Sequence, residues 1–280
     1  MIIYLMRSIS LLTIVHQRKE ALHNLLAGVS RLTVKPDEIV IIFMNEEIMD
    51  LPSLNIPINT YRIDREGYLP LAEARNMAVE KAHCELMIFL DVDCIPAIDL
   101  VERYKTAFAS NDMLYTGPIR YLSKEASKDD DLFNKLDILS RPDQIRDFNK
   151  EISYELFWSL NFGCTRSTFE RIGGFDANFT GYGGEDTDFS FSARSNKVPI
   201  QWVQAVAYHQ YHPSYDPPLN HIREIITNAK LFKDKWDTWP MTGWLRKFKE
   251  HGYIIWDNDK LELQRLPDEG EIQSAKKFEA

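Results

Sequence analysis

This sequence has no basic excess, no paired-cysteine motif and no long apolar run, and each absence removes a class of function. Lysine and arginine number 33 against 42 acidic residues, a formal net charge of −9. A general nucleic-acid binder needs a basic face to offset phosphates, so no nucleic-acid partner is expected. A nucleotide ligand remains compatible with that balance, because a bound metal ion supplies positive charge locally. The three cysteines, Cys84, Cys94 and Cys164, are odd in number and lack CxxC spacing. They read as reduced, buried thiols, which favours a cytoplasmic location, extended at most to the inner face of a membrane. The apolar stretch from Ile9 to Val15 is bracketed by Arg7, His16, Arg18 and Lys19 and is too short to span a bilayer. No small-residue cleavage site follows it, so a first core strand explains it better than a signal peptide. No internal repeat is visible.

At 280 residues and 44% hydrophobic content, the chain can bury a substantial core, as one large α/β domain or two intimate halves. Strands are expected at Ser8–Val15, Glu38–Met44, Ile58–Ile63 and Leu86–Leu90, with helices at Lys19–Val29 and Leu71–Ala82. Alternating units with fully apolar strands imply a parallel sheet covered on both faces. Ligands of such sheets bind beyond the carboxyl ends of the strands, where Asp91 and Asp93 fall. From Leu122 to Glu151 the composition turns charged, and the stretch reads as a surface excursion over the site, partly helical or mobile. A compact second unit runs from Ser153 to His212, with a helix Thr187–Ser195 and a strand Ile200–Tyr208. Beyond Pro213 come a helix Leu219–Trp236, a Trp- and Lys-bearing tail Trp239–Trp256, and a last dozen residues expected to be disordered.

Four motifs carry chemistry. In Ile88-Phe89-Leu90-Asp91-Val92-Asp93, residues i and i+2 of an extended backbone point the same way, so both carboxylates can face one ligand. Hard oxygen donors at a strand end suit Mg²⁺ or Mn²⁺ bridging to a diphosphate, although a polar strand terminus looks the same in sequence. In Gly181-Tyr182-Gly183-Gly184-Glu185-Asp186, acids open a helix, as good helix design alone would place them. Helix design does not account for three glycines and an aromatic just upstream, and an ionised carboxylate there can accept a proton from an acceptor hydroxyl. Ala207-Tyr208-His209-Gln210-Tyr211-His212 ends a strand in two histidines three apart, suited to Mn²⁺ together with a carboxylate, His209 ahead of His212. Arg75, in Ala74-Arg75-Asn76, is equally a diphosphate donor or a surface arginine.

In order and approximate spacing, these motifs resemble glycosyltransferases of the GT-A fold from Ser8 to about His212. The first half resembles the inverting family 2. The stretch from Asn161-Phe162-Gly163 through Gly173-Gly174-Phe175-Asp176 to the Gly-Gly-Glu-Asp loop resembles the carboxyl-terminal half of β-1,4-galactosyltransferases and bacterial chondroitin-type polymerases. The resemblance implies an α/β fold with a mixed, mainly parallel central sheet, helices on both faces and a helical C-terminal tail. It implies a catalytic domain at 1–212, with a nucleotide-sugar half at 1–121, a variable excursion at 122–152 and an acceptor and catalytic half at 153–212, followed by an extension at 213–280.

By the same resemblance, Asp93 and His209 would bind Mn²⁺ or Mg²⁺. Asp91 would meet the nucleotide ribose or metal-bound water, and Arg75 and Asn76 would lie on the donor side. Tyr182 stands where relatives often carry a tryptophan that stacks on sugar, beside Gly183 and Gly184. Asp186 would be the base, with Glu185 on donor or acceptor hydroxyls. The implied activity is metal-dependent, inverting transfer of a hexosyl or N-acetylhexosaminyl group from a nucleotide-sugar, a UDP-sugar first, to a glycan or lipid-linked saccharide. One departure stands out: galactosyltransferases place a methionine upstream of the metal histidine, and Val203–Tyr208 has none.

Two other classes compete. A haloacid dehalogenase-type phosphohydrolase also carries DxD after an apolar strand, but near the chain start and with a different residue where Ile95 stands. A non-catalytic sugar-binding module on the same fold would not need Asp93, Asp186 and His209 together. The Trp and Lys residues of the tail, Trp236, Trp239, Trp244 and Lys247, read first as core packing and second as a peripheral membrane contact.

Overall fold

Alternation of side chains along three buried strands decides the architecture. In the computed structural model, which describes residues 8–277, the chain opens with β1 (Ile9–Val15), α1 (Lys19–Arg31), β2 (Glu38–Met44), β3 (Ile58–Ile63), α2 (Leu71–Lys81) and β4 (Leu86–Leu90). Ile9, Leu11 and Val15 of β1 join Ile39, Ile41 and Phe43 of β2 and Ile88 of β4 in one core with Leu22, Leu25 and Leu26 of α1. The intervening Leu12, Ile14, Val40, Ile42, Met87 and Phe89 pack on the other face with Ala72, Ala74 and Ala78 of α2. Period-two alternation with both registers apolar forces cover on both faces.

The chain continues through β5 (Cys94–Pro96), α3 (Leu100–Phe108), β6 (Leu114–Thr116), β7 (Ile119–Leu122), α4 (Leu132–Leu139), β8 (Ser140–Pro142), β9 (Asn161–Thr165), α5 (Arg166–Ile172), α6 (Glu185–Ser195), β10 (Ile200–Trp202) and β11 (Ala207–His209). The main sheet has seven strands in the order β10-β6-β9-β4-β1-β2-β3. β9 runs antiparallel to both of its neighbours, and the other pairings are parallel. This is the mixed, mainly parallel α/β sheet that the sequence implies. A second sheet of four strands, β5-β11-β7-β8, stands beyond the carboxyl end of β4.

Two expectations need correction. The single strand expected at Ile200–Tyr208 is two strands in two different sheets. The Val203 N–H makes a last bond to the Thr116 carbonyl at 2.9 Å, Ala205 then turns back on Val203, and Ala207 bonds to Pro118 at the start of the next ladder. The mostly apolar stretch Ile200–Tyr208, broken only by Gln201 and Gln204, conceals this change of sheet. The excursion is partly helical, as expected, and is built around α4 and the short strand β8. The last dozen residues are ordered as far as 277: after β12 (Ser214–Tyr215), α7 (Ile222–Trp236), α8 (Thr242–Glu250), β13 (Ile254–Trp256) and β14 (Leu261–Leu263) come α9 (Glu269–Ser274) and β15 (Lys276–Lys277). An Asp268–Glu271 capping box opens α9, and β15 pairs with β12. The final three residues lie outside the described ones.

The Trp residues of the extension pack inward. Trp239, Trp244 and Trp256 lie against a cluster that includes Ile222, Ile225, Leu245 and Phe248, and Trp236 lies against Phe191 and Phe232. Among the described residues, no helix is long and apolar enough to cross a membrane. Cys84, Cys94 and Cys164 are buried and unpaired, as expected.

Candidate active site

The end of β4 makes a tight turn that aims two carboxylates off the sheet. The Asp91 N–H donates to the Leu160 carbonyl at 2.9 Å, and its own carbonyl accepts from Cys94 at 2.8 Å. Its Oδ1 accepts from the Val92 N–H at 2.9 Å. Immediately afterwards β5 pairs antiparallel with β11, with Cys94 opposite His209. The Gln210 N–H extends this ladder to the Asp93 carbonyl at 2.7 Å. Strand register therefore brings together residues more than a hundred positions apart. The Gln210 side chain fastens the arrangement to α1, accepting from Asn24 at 2.8 Å and donating to the Ala21 carbonyl at 3.0 Å.

Asp93, His209 and His212 each offer one ligand atom within 4.8 Å of the others. Asp93 is 6% exposed. His212 Nε2 lies 3.6 Å and Arg18 Nε 3.4 Å from Asp93 Oδ2. Burial, reinforced by the Asp91 charge, pushes the Asp93 carboxyl up to about 6, against the pull of Arg18 and His212. Burial, reinforced by neighbouring His212, drives His209 down to about 3, so its imidazole is neutral with a lone pair free for a cation. One carboxylate oxygen and two imidazole nitrogens fit Mn²⁺, whereas Mg²⁺ prefers oxygen donors. The sequence left His209 and His212 as alternatives; the fold brings both to the cluster. Arg18, at the start of α1, gave no signal in the sequence.

The second group of acids lies in the first turn of α6. Gly181, Gly183 and Gly184 have φ of 68°, 98° and 94°, a left-handed backbone that side chains disfavour. A Cβ on Gly183 would lie 3.0 Å from Met241 Sδ of the extension. Asn228 of α7, fully buried, donates to the carbonyls of Thr180 at 3.0 Å and Gly183 at 2.8 Å and so fixes this loop from behind. Asp188, also fully buried, accepts from Trp236 Nε1 at 2.7 Å and pairs with Lys235 at 2.9 Å, tying α6 to α7. Neither anchor is legible in the sequence, because both partners lie in the extension.

Glu185 is 5% exposed and ion-paired with Arg75, Nη1 to Oε1 at 3.1 Å, while its Oε2 is buried without a partner. Asp186 is half-buried and accepts the Thr187 N–H at 2.7 Å. Burial and then the Glu185 charge push Asp186 up to about 7, opposed by Arg75 and by the backbone N–H groups of Thr187 and Ser159. A carboxylate poised there can exchange a proton near neutral pH.

One cavity of about 10 Å³, room for a single water, is lined by Asp91, by Arg75, the partner of Glu185, and by Ser159, whose N–H serves Asp186. Two residues expected on the donor side already have protein partners. Arg75 serves Glu185, and the Asn76 side chain both donates to the Phe175 carbonyl at 2.7 Å and accepts its N–H at 2.9 Å. Tyr182, 39% exposed, stacks with His221 at 4.6 Å and with Trp244 at 5.8 Å between ring centroids. Its ring is thus framed by the extension.

Comparison with known proteins follows the same lines. A family model described as "Glycosyltransferase like family 2" matches residues 43–207, more than half of the chain. Validoxylamine A glucosyltransferase from Streptomyces hygroscopicus subsp. jinggangensis (strain 5008) is 41% identical over 44 residues, which is 16% of this chain and 10% of that protein. Among solved structures, GalNAc-T7 with UDP, GalNAc and Mn²⁺ superposes with a TM-score of 0.54 at 15% identity, over 87% of this chain and 57% of that one. TarS of S. aureus superposes at 0.51 and 12% identity, over 81% of this chain and 66% of that one. The chain therefore spans a tenth of the curated relative and under two thirds of either structure. At these identities the two structures speak for the fold alone, and that fold is the GT-A arrangement.

Proposed function

This chain belongs to the glycosyltransferase-like family 2, and from that premise we propose that it is a metal-dependent, inverting glycosyltransferase. It moves a hexosyl or N-acetylhexosaminyl group from a nucleotide-sugar, a UDP-sugar foremost, to a hydroxyl of a glycan or lipid-linked saccharide. The observation that carries the reading is the Asp93–His209–His212 cluster, in which the second acid of DxD meets two imidazoles within 4.8 Å. Asp93, His209 and His212 would hold Mn²⁺, with Asp91 beside them for ribose or metal-bound water. The ion, when bound, neutralises charge on the departing diphosphate.

The protein's own groups do the rest. Asp186 takes the proton of the acceptor hydroxyl as the acceptor oxygen bonds to the anomeric carbon. The bond from that carbon to the diphosphate oxygen breaks, and one in-line displacement inverts the centre. The N–H groups of Thr187 and Ser159 orient the Asp186 carboxylate. Glu185, held by Arg75, has one oxygen left over for a sugar hydroxyl. Gly183 and Gly184 let the loop turn tightly against Met241 and Phe179, and Tyr182 with Trp244 borders the acceptor side.

The test is a binding and turnover panel of UDP-, GDP- and dTDP-sugars with Mn²⁺ and with chelator. Mn²⁺-dependent binding of one of them supports the reading. Binding that ignores the chelator contradicts the metal role, and release of phosphate from small phosphomonoesters would favour the phosphohydrolase instead.

A further inference from the structure

Within the excursion between the two halves of the site lies a cation that no motif predicts. Arg146 has a side chain only 2% exposed. Its Nε donates to Asp143 Oδ2 at 2.6 Å, and its guanidinium lies 4.3 Å from the centroid of the Trp158 ring. Its Nη2 is buried and has no hydrogen-bond partner. A guanidinium is always charged and presents five donors in a plane. An unpaired, buried donor on a charged group is costly, and natural structures seldom leave one without a reason.

The neighbours of Arg146 locate that donor. On one side its guanidinium lies within hydrogen-bonding reach of the Tyr121 hydroxyl and its charge acts on His209, while Nη2 stays without a partner. Tyr121 and His209 face each other in the β7–β11 register, with ring centroids 5.2 Å apart. This is the wall of the Asp93–His209–His212 cluster. On the other side, Trp158 immediately precedes Ser159, whose N–H serves Asp186. The guanidinium thus stands between the metal-ligand cluster and the candidate base. A sugar diphosphate bound to both would pass its phosphates through this interval. Asp143 is the only anion within salt-bridge reach of Arg146 among the described residues, and it engages Nε, leaving Nη2 uncommitted.

We propose that Arg146 is a donor-binding residue whose Nη2 hydrogen-bonds a phosphate oxygen of the nucleotide-sugar diphosphate, opposite the metal. The proposal rests on the glycosyltransferase reading above and adds a protein cation to it. The excursion then supplies part of the donor site in addition to covering it. Trp158 stacking and the Asp143 bond hold the guanidinium plane in place before the donor arrives, so little side-chain entropy is lost on binding.

Isothermal titration of wild type and Arg146→Gln, both with Mn²⁺, tests it. The ligands are whichever of UDP, GDP and dTDP the wild type binds, and the matching nucleoside followed by ligand-observed NMR. Loss of one charge-assisted bond predicts roughly tenfold weaker diphosphate binding, with nucleoside and Mn²⁺ affinity unchanged. A merely structural role would weaken nucleoside and diphosphate alike, and that result, or unchanged diphosphate affinity, overturns the proposal. Wild type that binds none of the three diphosphates overturns the glycosyltransferase reading and this proposal with it. If Arg146→Gln does not fold, a crystal structure of wild type with Mn²⁺ and the diphosphate decides. A phosphate oxygen within hydrogen-bond reach of Nη2 supports the assignment; a nearest phosphate oxygen beyond about 4 Å refutes it.

Discussion

Arg75 and Glu185, 110 positions apart in sequence, form a buried ion pair at 3.1 Å that joins α2, the helix before the DxD strand, to the first turn of α6. Through this pair the first half of the chain acts on the electrostatics around Asp186, the candidate base. Arg75 is also one of the charges that oppose the upward shift of Asp186.

Arg75→Gln is therefore expected to do two things. It leaves Glu185 as an uncompensated buried charge, at a cost of about 3–5 kcal/mol by urea denaturation. It also removes a charge that favours ionised Asp186, so the acidic limb of the pH–rate profile moves above the wild-type position near 7. Equal stability of the two proteins would show that the pair contributes nothing net.

For Asp186→Asn, sugar transfer should be lost while Mn²⁺ and nucleotide binding persist. Heat stability should move the other way. The folded-state value of about 7 lies above the ordinary 3.8, so the folded chain binds this proton more tightly than the unfolded one. The group's stabilising contribution is present in full below about pH 4 and is lost as pH rises through about 7. The amide lacks that loss, so Asp186→Asn should melt roughly 2–4 °C above wild type at pH 8. The gap should close towards pH 4. A wild-type transfer rate in this variant would remove Asp186 from the base role.

Metal affinity should depend on all three members of the cluster. Asp93→Asn, His209→Ala and His212→Ala should each weaken Mn²⁺-dependent nucleotide binding by roughly tenfold or more. Titration of Mn²⁺ at fixed nucleotide checks this, and a His212→Ala protein with wild-type affinity would reduce the ligand set to Asp93 and His209.

Helix α6 is seated on aromatic rings: Phe189 stacks on Phe175 at 4.3 Å and approaches Phe157, Phe162 and Phe169. Phe189→Ala should cost about 3–5 kcal/mol in denaturant unfolding. Transfer should fall further than nucleotide binding, because Asp186 sits one helical turn away. A loss under 1 kcal/mol (about that of an exposed site) would mean the ring is not the seat of α6.

How much of this was legible in the sequence follows from physical length scales. β4 is a continuous apolar run, β2 is one after Glu38, β1 is interrupted only by Ser10 and Thr13, and α1 has a periodic face, so they could be read residue by residue. β9 could not: Asn161-Phe162-Gly163-Cys164-Thr165 has no strand pattern of its own and is a strand because β4 and β6 flank it. The tail looked disordered because it is polar, yet local bonds hold it, such as Arg265 to Glu271 at 2.8 Å. In the site, the acids and histidines announced themselves by spacing. Arg18, Arg146 and Asn228 did not, since each reaches its place through a fold contact that no local motif encodes.

The most direct test of the central claim is the configuration of the sugar first released. With Mn²⁺ and whichever α-linked nucleotide-sugar the protein turns over, water stands in for the acceptor. Proton NMR during the first minutes, before the sugar mutarotates, should show the β-anomer appearing first, and Asp186→Asn should release none. An α-anomer appearing first, or no Mn²⁺-dependent release from any nucleotide-sugar in the panel, would contradict inverting transfer with Asp186 as base.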